Sequence, residues 1–203
     1  LLCVWSGSII QNIDMTQQIN IRNPRTGKID YQITPPTSEQ LAEKITRLRQ
    51  AQIDWQQQGL SHRIETLQQW KKAILTQKDR IKEALINDTG RLSVSILEID
   101  SFISSIDRWC KLAPDLLSEE SKNTAIPFIR LQSQLVPYPL VGVISPWNFP
   151  LLLSIIDTIP ALLAGCAVIV KPSEIAPRFI QPLLEAIASV PNLRDILTYI
   201  EGA

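Results

Sequence analysis

Between residues 131 and 170 the chain carries one charge, Asp157, although it holds 20 Lys and Arg against 20 Asp and Glu. A run of that length with so little charge has to be buried, and its internal punctuation says how. Residues 140–145 (LVGVIS) and 167–170 (AVIV) are short, β-branched and apolar, as expected of strands covered on both faces. Residues 151–163 have helical apolar density in spite of Pro160, and Gly165 breaks them. A further helix is predicted over 182–189 and a third strand over 197–200. Strand, helix, strand, helix, strand with buried strands requires crossovers and therefore parallel pairing in an α/β sheet. Residues 151–170 lack Lys and Arg over the length of a membrane span. Asp157 and Pro160 near their middle, Gly165 and the β-branched second half favour a soluble core and no membrane span. Pro137 and Pro139 mark 128–138 as an extended edge or crossing segment.

The preceding part is organised differently. Residues 21–33 read as two extended pieces around a turn opened by Asn23-Pro24 and closed by Thr26-Gly27, and Pro35-Pro36 breaks the chain. Thr37 with Gln40 forms a capping-box start. Leu41, Ile45, Leu48, Gln52 and Trp55 make one stripe of a helix that Gly59 ends. A second helix is predicted from Ser61 through Ile64, Leu67, Ile74, Ile81 and Leu85 to a stop at Gly90. A third carries Ile96, Ile99, Ile103, Ile106, Cys110 and Ala113 before Pro114 halts it. The heptad-like spacing also suits a helical bundle or coiled coil over 37–113, and nothing there suggests chemistry. His62, the only histidine, sits among polar residues and reads as a surface residue. Cys3, Cys110 and Cys166 match neither a disulfide framework nor a zinc pattern, so a reducing cytoplasm is the expected setting. The balanced charge gives no reason to expect nucleic acid as a partner. Residues 1–14 have no basic region and make a poor signal peptide. With the chain opening at Leu1, translation is expected to start at Met15, and 1–19 to be a leader outside the native fold.

Two polar clusters lie just past the first two buried strands. Val141-Gly142-Val143-Ile144 runs into Ser145-Pro146-Trp147-Asn148-Phe149-Pro150, and Val168-Ile169-Val170 into Lys171-Pro172-Ser173-Glu174. Both clusters then sit at carboxyl ends of parallel strands, where open α/β sheets bind ligands. A basic and an acidic group there could hold the hydroxyls of a ribose. Asn148, on a loop stiffened by two prolines, offers a neutral amide donor able to stabilise an oxyanion if preorganised. Each feature alone is equally a turn residue or a solvated pair, and G-x-G-x-x-G is absent.

The whole stretch 139–174 (PLVGVISPWNFPLLLSIIDTIPALLAGCAVIVKPSE) resembles the aldehyde dehydrogenase superfamily. A P-W-N-F-P loop, an A-L-x-A-G-x-A-V helix end and a K-P-S-E strand end occur in that order and spacing. NPRTGK at 23–28, RQAQIDW at 49–55 and Arg63 agree, so the resemblance covers 20–203. It implies an α/β fold: an N-terminal helical layer (37–113) plus the first half of a parallel-sheet, Rossmann-like NAD-binding domain (140–203), with 127–138 part of an oligomerisation arm. The implied chemistry is attack of a cysteine thiolate on an aldehyde, hydride transfer to NAD(P)+, and thioester hydrolysis by water that a glutamate activates. By motif match Asn148 would be the oxyanion donor. Ile144, Ser145, Pro146, Trp147, Lys171, Ser173 and Glu174 would bind the cofactor. A carboxylate at Glu174 disfavours a 2′-phosphate, which makes NAD the expected cofactor, with NADP the alternative. On the family pattern the nucleophile and base would lie past Ala203, so the chain reads as a truncated, inactive piece of a homo-dimeric or homo-tetrameric enzyme. A different reading is a non-catalytic half-domain that docks on full-length relatives through the arm.

Overall fold

The structure, a computed structural model, describes residues 18–118 and 120–202; the expectations about Cys3, the start at Met15 and most of the leader lie outside them. The described part opens with an antiparallel hairpin, β1 (Ile19–Arg22) and β2 (Ile29–Ile33). Its inward residues Ile21 and Ile33 are buried.

Four helices come next: α1 (Ser38–Gln57), α2 (Gly59–Thr76), α3 (Lys78–Thr89) and α4 (Leu92–Leu116). The capping box at the head of α1 is formed in both directions. The Thr37 hydroxyl accepts from the Gln40 amide at 3.2 Å, and the Gln40 side chain accepts from the Thr37 amide at 2.9 Å. Leu48, Gln52 and Trp55 are its buried face, as the stripe predicts. The run expected as one helix from Ser61 to Gly90 is two, because the chain turns at Gln77 between α2 and α3. Gly59 does not lie outside the helices; it is the first residue of α2, at φ 80°. Pro114 does not halt α4, which runs on to Leu116. The buried seam of α4 includes Ser95, Glu98 and Phe102, which apolar periodicity missed, whereas Ile96 faces outward. Trp70 and Phe102 meet edge-to-face at 5.0 Å and lock α2 to α4. His62 is not a free surface residue: its ring lies edge-on to Trp55 at 6.4 Å and its Nε2 is buried.

A second hairpin, β3 (Glu120–Asn123) and β4 (Arg130–Ser133), pairs antiparallel, so only four residues of the expected extended segment 128–138 are strand. The parallel sheet comes last: β5 (Leu140–Ser145), β6 (Ala167–Pro172) and β7 (Leu197–Tyr199), in the order β5-β6-β7. The helices α5 (Pro150–Ile155) and α6 (Thr158–Ala164) join β5 to β6, and α7 (Ile180–Ala188) joins β6 to β7. The single helix expected over 151–163 is thus broken at Asp157, three residues before Pro160, which lacks a backbone donor. This is an α/β fold with a parallel sheet, as expected.

The two sheet faces are unequal. Val143, Val170 and Tyr199 point to the face that carries the crossover helices. There the Tyr199 hydroxyl meets Ser154 of α5 at 3.1 Å, and its ring stands edge-on to Phe179 at 6.3 Å. On the opposite face α1 packs across β6 and β5, with a groove between it and Thr198 of β7. Gly142 and Ile144 of β5 nevertheless stay exposed. Among the described residues, β5 and β7 each have one unpaired edge.

Arg178, in the turn after β6, ties three elements together. Its guanidinium bonds to Asp88 at the end of α3 and to Asp30 of β2, and lies 5.1 Å over the Tyr31 ring. Its backbone amide also donates to Asp88 at 2.8 Å. Burial pushes the Asp88 carboxyl up to about 6, outweighing the pull of Arg178. A carboxyl raised on folding makes the folded state bind more protons, so its contribution is full below about pH 4 and is lost as pH rises through about 6. At roughly 1.4 kcal/mol per pKa unit this is on the order of 2–3 kcal/mol. Asp88→Asn should remove that part of the slope. Denaturant unfolding of both proteins between pH 4 and 7 checks it, and parallel slopes would refute it.

Candidate active site

The strand register brings the two polar clusters side by side. Ile144 pairs with Lys171 and Ser145 with Pro172, and registered partners share a face. Ile144, 83% exposed, therefore stands uncovered next to Lys171 at the strand ends. The β6 strand continues through Lys171 and Pro172, beyond its predicted end at Val170. Three residues past Lys171 the chain turns back, so that Glu174 reaches the Lys171 ammonium at 3.7 Å. Both side chains of this pair remain partly open to solvent, so it holds geometry more than it adds stability. Ser173 closes the turn, its hydroxyl accepting from the Ile175 amide at 3.3 Å.

Trp147 and Asn148 are exposed on the loop after β5, and Pro146 with them. Ser145 differs from the rest of the predicted set. Its side chain turns to the packed face, is buried, and its hydroxyl has no partner, so only its backbone can face a ligand beside Ile144. The structure thus gathers Ile144, Pro146, Trp147, Asn148, Lys171, Ser173 and Glu174 at the carboxyl ends of β5 and β6.

The loop is gripped from below by α4, which sequence reasoning missed. Arg91, just before α4, donates through its guanidinium to the Asn148 backbone carbonyl and lies 5.4 Å over the Phe149 ring. Two turns on, the buried Glu98 carboxylate accepts from the amides of Leu151 and Leu152 at 2.9 and 3.0 Å. Desolvation raises the Glu98 carboxyl above its ordinary range, opposed by those two amides and by Arg91. A Glu on an otherwise apolar helix seam was the available signal, since a buried acid needs a donor.

Cys110 and Cys166 are buried free thiols, and burial pushes both above the usual thiol range. Cys166 directly precedes β6, at the amino end of the strand. Lys171 is five residues further on, which at ~3.3 Å per residue puts about 17 Å between Cys166 and the strand end. Two grooves, of about 450 and 490 Å³, run between α1 and β7 and share Lys44 and Arg47. They do not include the strand-end cluster.

Polar loops meeting at the carboxyl ends of a parallel sheet are where open α/β domains bind ligands. Residues 11–202 match the Aldehyde dehydrogenase family; the chain belongs to that family. PutA from Anabaena variabilis, whose solved structure is described as an aldehyde dehydrogenase, is 66% identical with a TM-score of 0.90, over 92% of this chain and 40% of that one. A betaine aldehyde dehydrogenase mutant of Staphylococcus aureus, solved in complex with NAD+, is 26% identical with a TM-score of 0.82, over 92% and 38%. A Mycobacterium ulcerans protein assigned as succinate-semialdehyde dehydrogenase [NADP(+)] 2 is 27% identical over 86% of this chain and 34% of its own length. The chain thus spans about a third of the length of the curated relatives it matches. No helix among the described residues is long and apolar enough to cross a membrane.

Proposed function

We propose that these residues supply the ribose-binding and oxyanion-binding part of an NAD-dependent aldehyde dehydrogenase, whose substrate is a small-molecule aldehyde. The observation that carries this is the register of β5 on β6, which sets Ile144 beside Lys171 at the open strand ends. The residues present suit a dinucleotide. Ile144 offers an uncovered apolar surface, Lys171 a donor and Glu174 an acceptor for ribose hydroxyls, and Pro146 and Trp147 the rim. When bound, the dinucleotide supplies the electron acceptor for aldehyde oxidation. Asn148 is assigned as the donor to the oxygen that becomes negative when a thiolate adds to the aldehyde carbon. A fixed amide does this without reorganising at the moment of reaction. The nucleophile and the base are assigned to residues outside this chain, because Cys110 and Cys166 are buried and unactivated.

The hairpin β3–β4 and the segment after it are assigned as an oligomerisation arm of the active protein, a homo-dimer or homo-tetramer. Phe128, Leu131, Leu135, Val136 and Tyr138 are all exposed on it, a patch of the kind that marks association surfaces. Reading the coding sequence beyond codon 203 tests the main assignment cheaply. An in-frame continuation with a catalytic cysteine segment supports it, and a stop codon in verified sequence favours the docking half-domain.

NAD over NADP rests on Glu174, whose carboxylate would face a 2′-phosphate with like charge. In the active enzyme Glu174→Gln should raise the efficiency with NADP relative to NAD by about tenfold, the size of a lost like-charge contact. Measuring kcat/KM with both cofactors checks this; an unchanged ratio would show that Glu174 does not face the 2′ position.

A further inference from the structure

We propose that Arg91 and Glu98 are positioning residues that hold the loop 146–152 in the one conformation in which the Asn148 amide is available to an oxyanion; the inference rests on the assignment of Asn148 as that donor. Pro146 and Pro150 stiffen the loop but fix only their own φ. Between them Trp147, Asn148 and Phe149 have exposed or half-exposed side chains that no packed core orients. The α4 end of the molecule supplies what is missing. The Arg91 guanidinium reaches the carbonyl of Asn148 itself and covers the ring of the next residue, Phe149. A charge-assisted bond and a cation–π contact on consecutive residues fix both the peptide plane and the chain direction there. Glu98 then takes the next two free amides, of Leu151 and Leu152, through a single oxygen. Arg91 caps the start of α4 and Glu98 lies in its second turn, so both contacts come from the same end of that helix. That end grips the loop by a carbonyl on one side of Pro150 and by amides on the other. Neither residue is placed in contact with substrate or cofactor. The Asn148 side chain accepts no part of this clamp, since only its backbone carbonyl is used, and its amide is left free.

Hydrogen exchange of the chain, followed by mass spectrometry at peptides covering 146–153, tests the clamp without any need for activity. Arg91→Met should speed exchange of the Leu153 amide, which donates to the Phe149 carbonyl at 2.9 Å, by roughly tenfold, the effect of a lost bond to a charged group. Glu98→Gln should do so at Leu151 and Leu152. Arg91→Lys, which keeps the charge without the fork, should recover part of the protection. Peptides of α1, where Gln52 and Trp55 lie, should be unchanged. Unchanged loop exchange in Arg91→Met, or a rise spread equally over α1 and the loop, would overturn the proposal. In the active enzyme Arg91→Met should lower kcat about tenfold with the KM for NAD unchanged, with Arg91→Lys again partly restoring it. Asn148→Ala separates the two ideas. If it leaves kcat intact while Arg91→Met still loosens the loop, the donor assignment fails and the clamp stands; if it lowers kcat while Arg91→Met changes neither loop exchange nor kcat, the clamp fails alone.

Discussion

Purified on its own, the 203-residue chain is expected to form no NADH from any aldehyde. The reaction proposed for the family site needs a thiolate within reach of the carbonyl that Asn148 would polarise. Of the thiols in the described residues, Cys110 sits on the buried seam of α4 and Cys166 at the amino end of β6, about 17 Å from the strand end by the rise per residue. Burial raises both above the usual thiol range and keeps them in the unreactive thiol form, and at Cys110 the nearby Asp107 charge adds to that. Loss of a covalent nucleophile costs about 10⁶-fold in turnover where it has been measured by single removal. Residual oxyanion and cofactor binding cannot compensate for that. The check is aldehyde-dependent absorbance at the NADH band with the purified chain. Turnover that survives purification and disappears in Cys3→Ser, Cys110→Ser or Cys166→Ser would sink the expectation and identify the nucleophile.

The parts legible in the sequence were those with a local cause. The strands β5, β6 and β7 announced themselves as short β-branched runs in an uncharged stretch, and Thr37 with Gln40 marked the head of α1 because a capping box needs only residues three apart. The strand-end cluster was legible too, since a parallel sheet places the loop after each strand at the same end. The features that were missed needed contacts far along the chain. Arg91 reads as a surface charge until β5 brings Asn148 to it, 57 positions away. Glu98 breaks an apolar stripe, and only the start of α5 explains why a carboxylate sits there. The split of one expected helix at Gln77 has no Pro or Gly to announce it; the turn lets α3 fold back so that Asp88 meets Arg178. Ser145 was grouped with Ile144 by motif match, whereas strand alternation sends the two side chains to opposite faces.

Arg63→Met is expected to destabilise the fold by about 3–5 kcal/mol, the range for losing several bonds from a buried charged group. The helix α6 ends at Gly165, at φ 100°, where a Cβ would come within 3.4 Å of Pro137 and 3.6 Å of Arg63. The Leu162 carbonyl accepts from the Gly165 amide at 3.1 Å; the last carbonyls of a helix otherwise lack a partner in it, and here they face the inside of the molecule, not water. Three side chains from α1 and α2 bond to these carbonyls. Gln52 donates to the Gly165 carbonyl at 2.9 Å, Trp55 to that of Leu162 at 3.0 Å, and Arg63 to that of Leu163 at 2.9 Å. Arg63 also donates to the Gln56 carbonyl at 3.2 Å, at the end of α1. Its positive charge therefore lies at the negative ends of two helices at once, where the dipoles favour it. Burial works the other way, drawing the Arg63 pKa below its ordinary value. A guanidinium nevertheless stays charged at any pH the protein survives. Methionine fills similar volume but leaves the Leu163 carbonyl buried and unpaired, a group that alone costs about 1–3 kcal/mol, and removes the charge-assisted bond to Gln56 at the end of α1. Lysine should recover little, because one ammonium cannot reach both carbonyls along the directions that the fork serves. Because α6 leads directly into β6, the loss should spread to Lys171 at the far end of that strand. Denaturant unfolding gives the test. A drop below about 1 kcal/mol for Arg63→Met, or full recovery by Arg63→Lys, would show that water reaches these carbonyls and that the helix end is not sealed by Arg63.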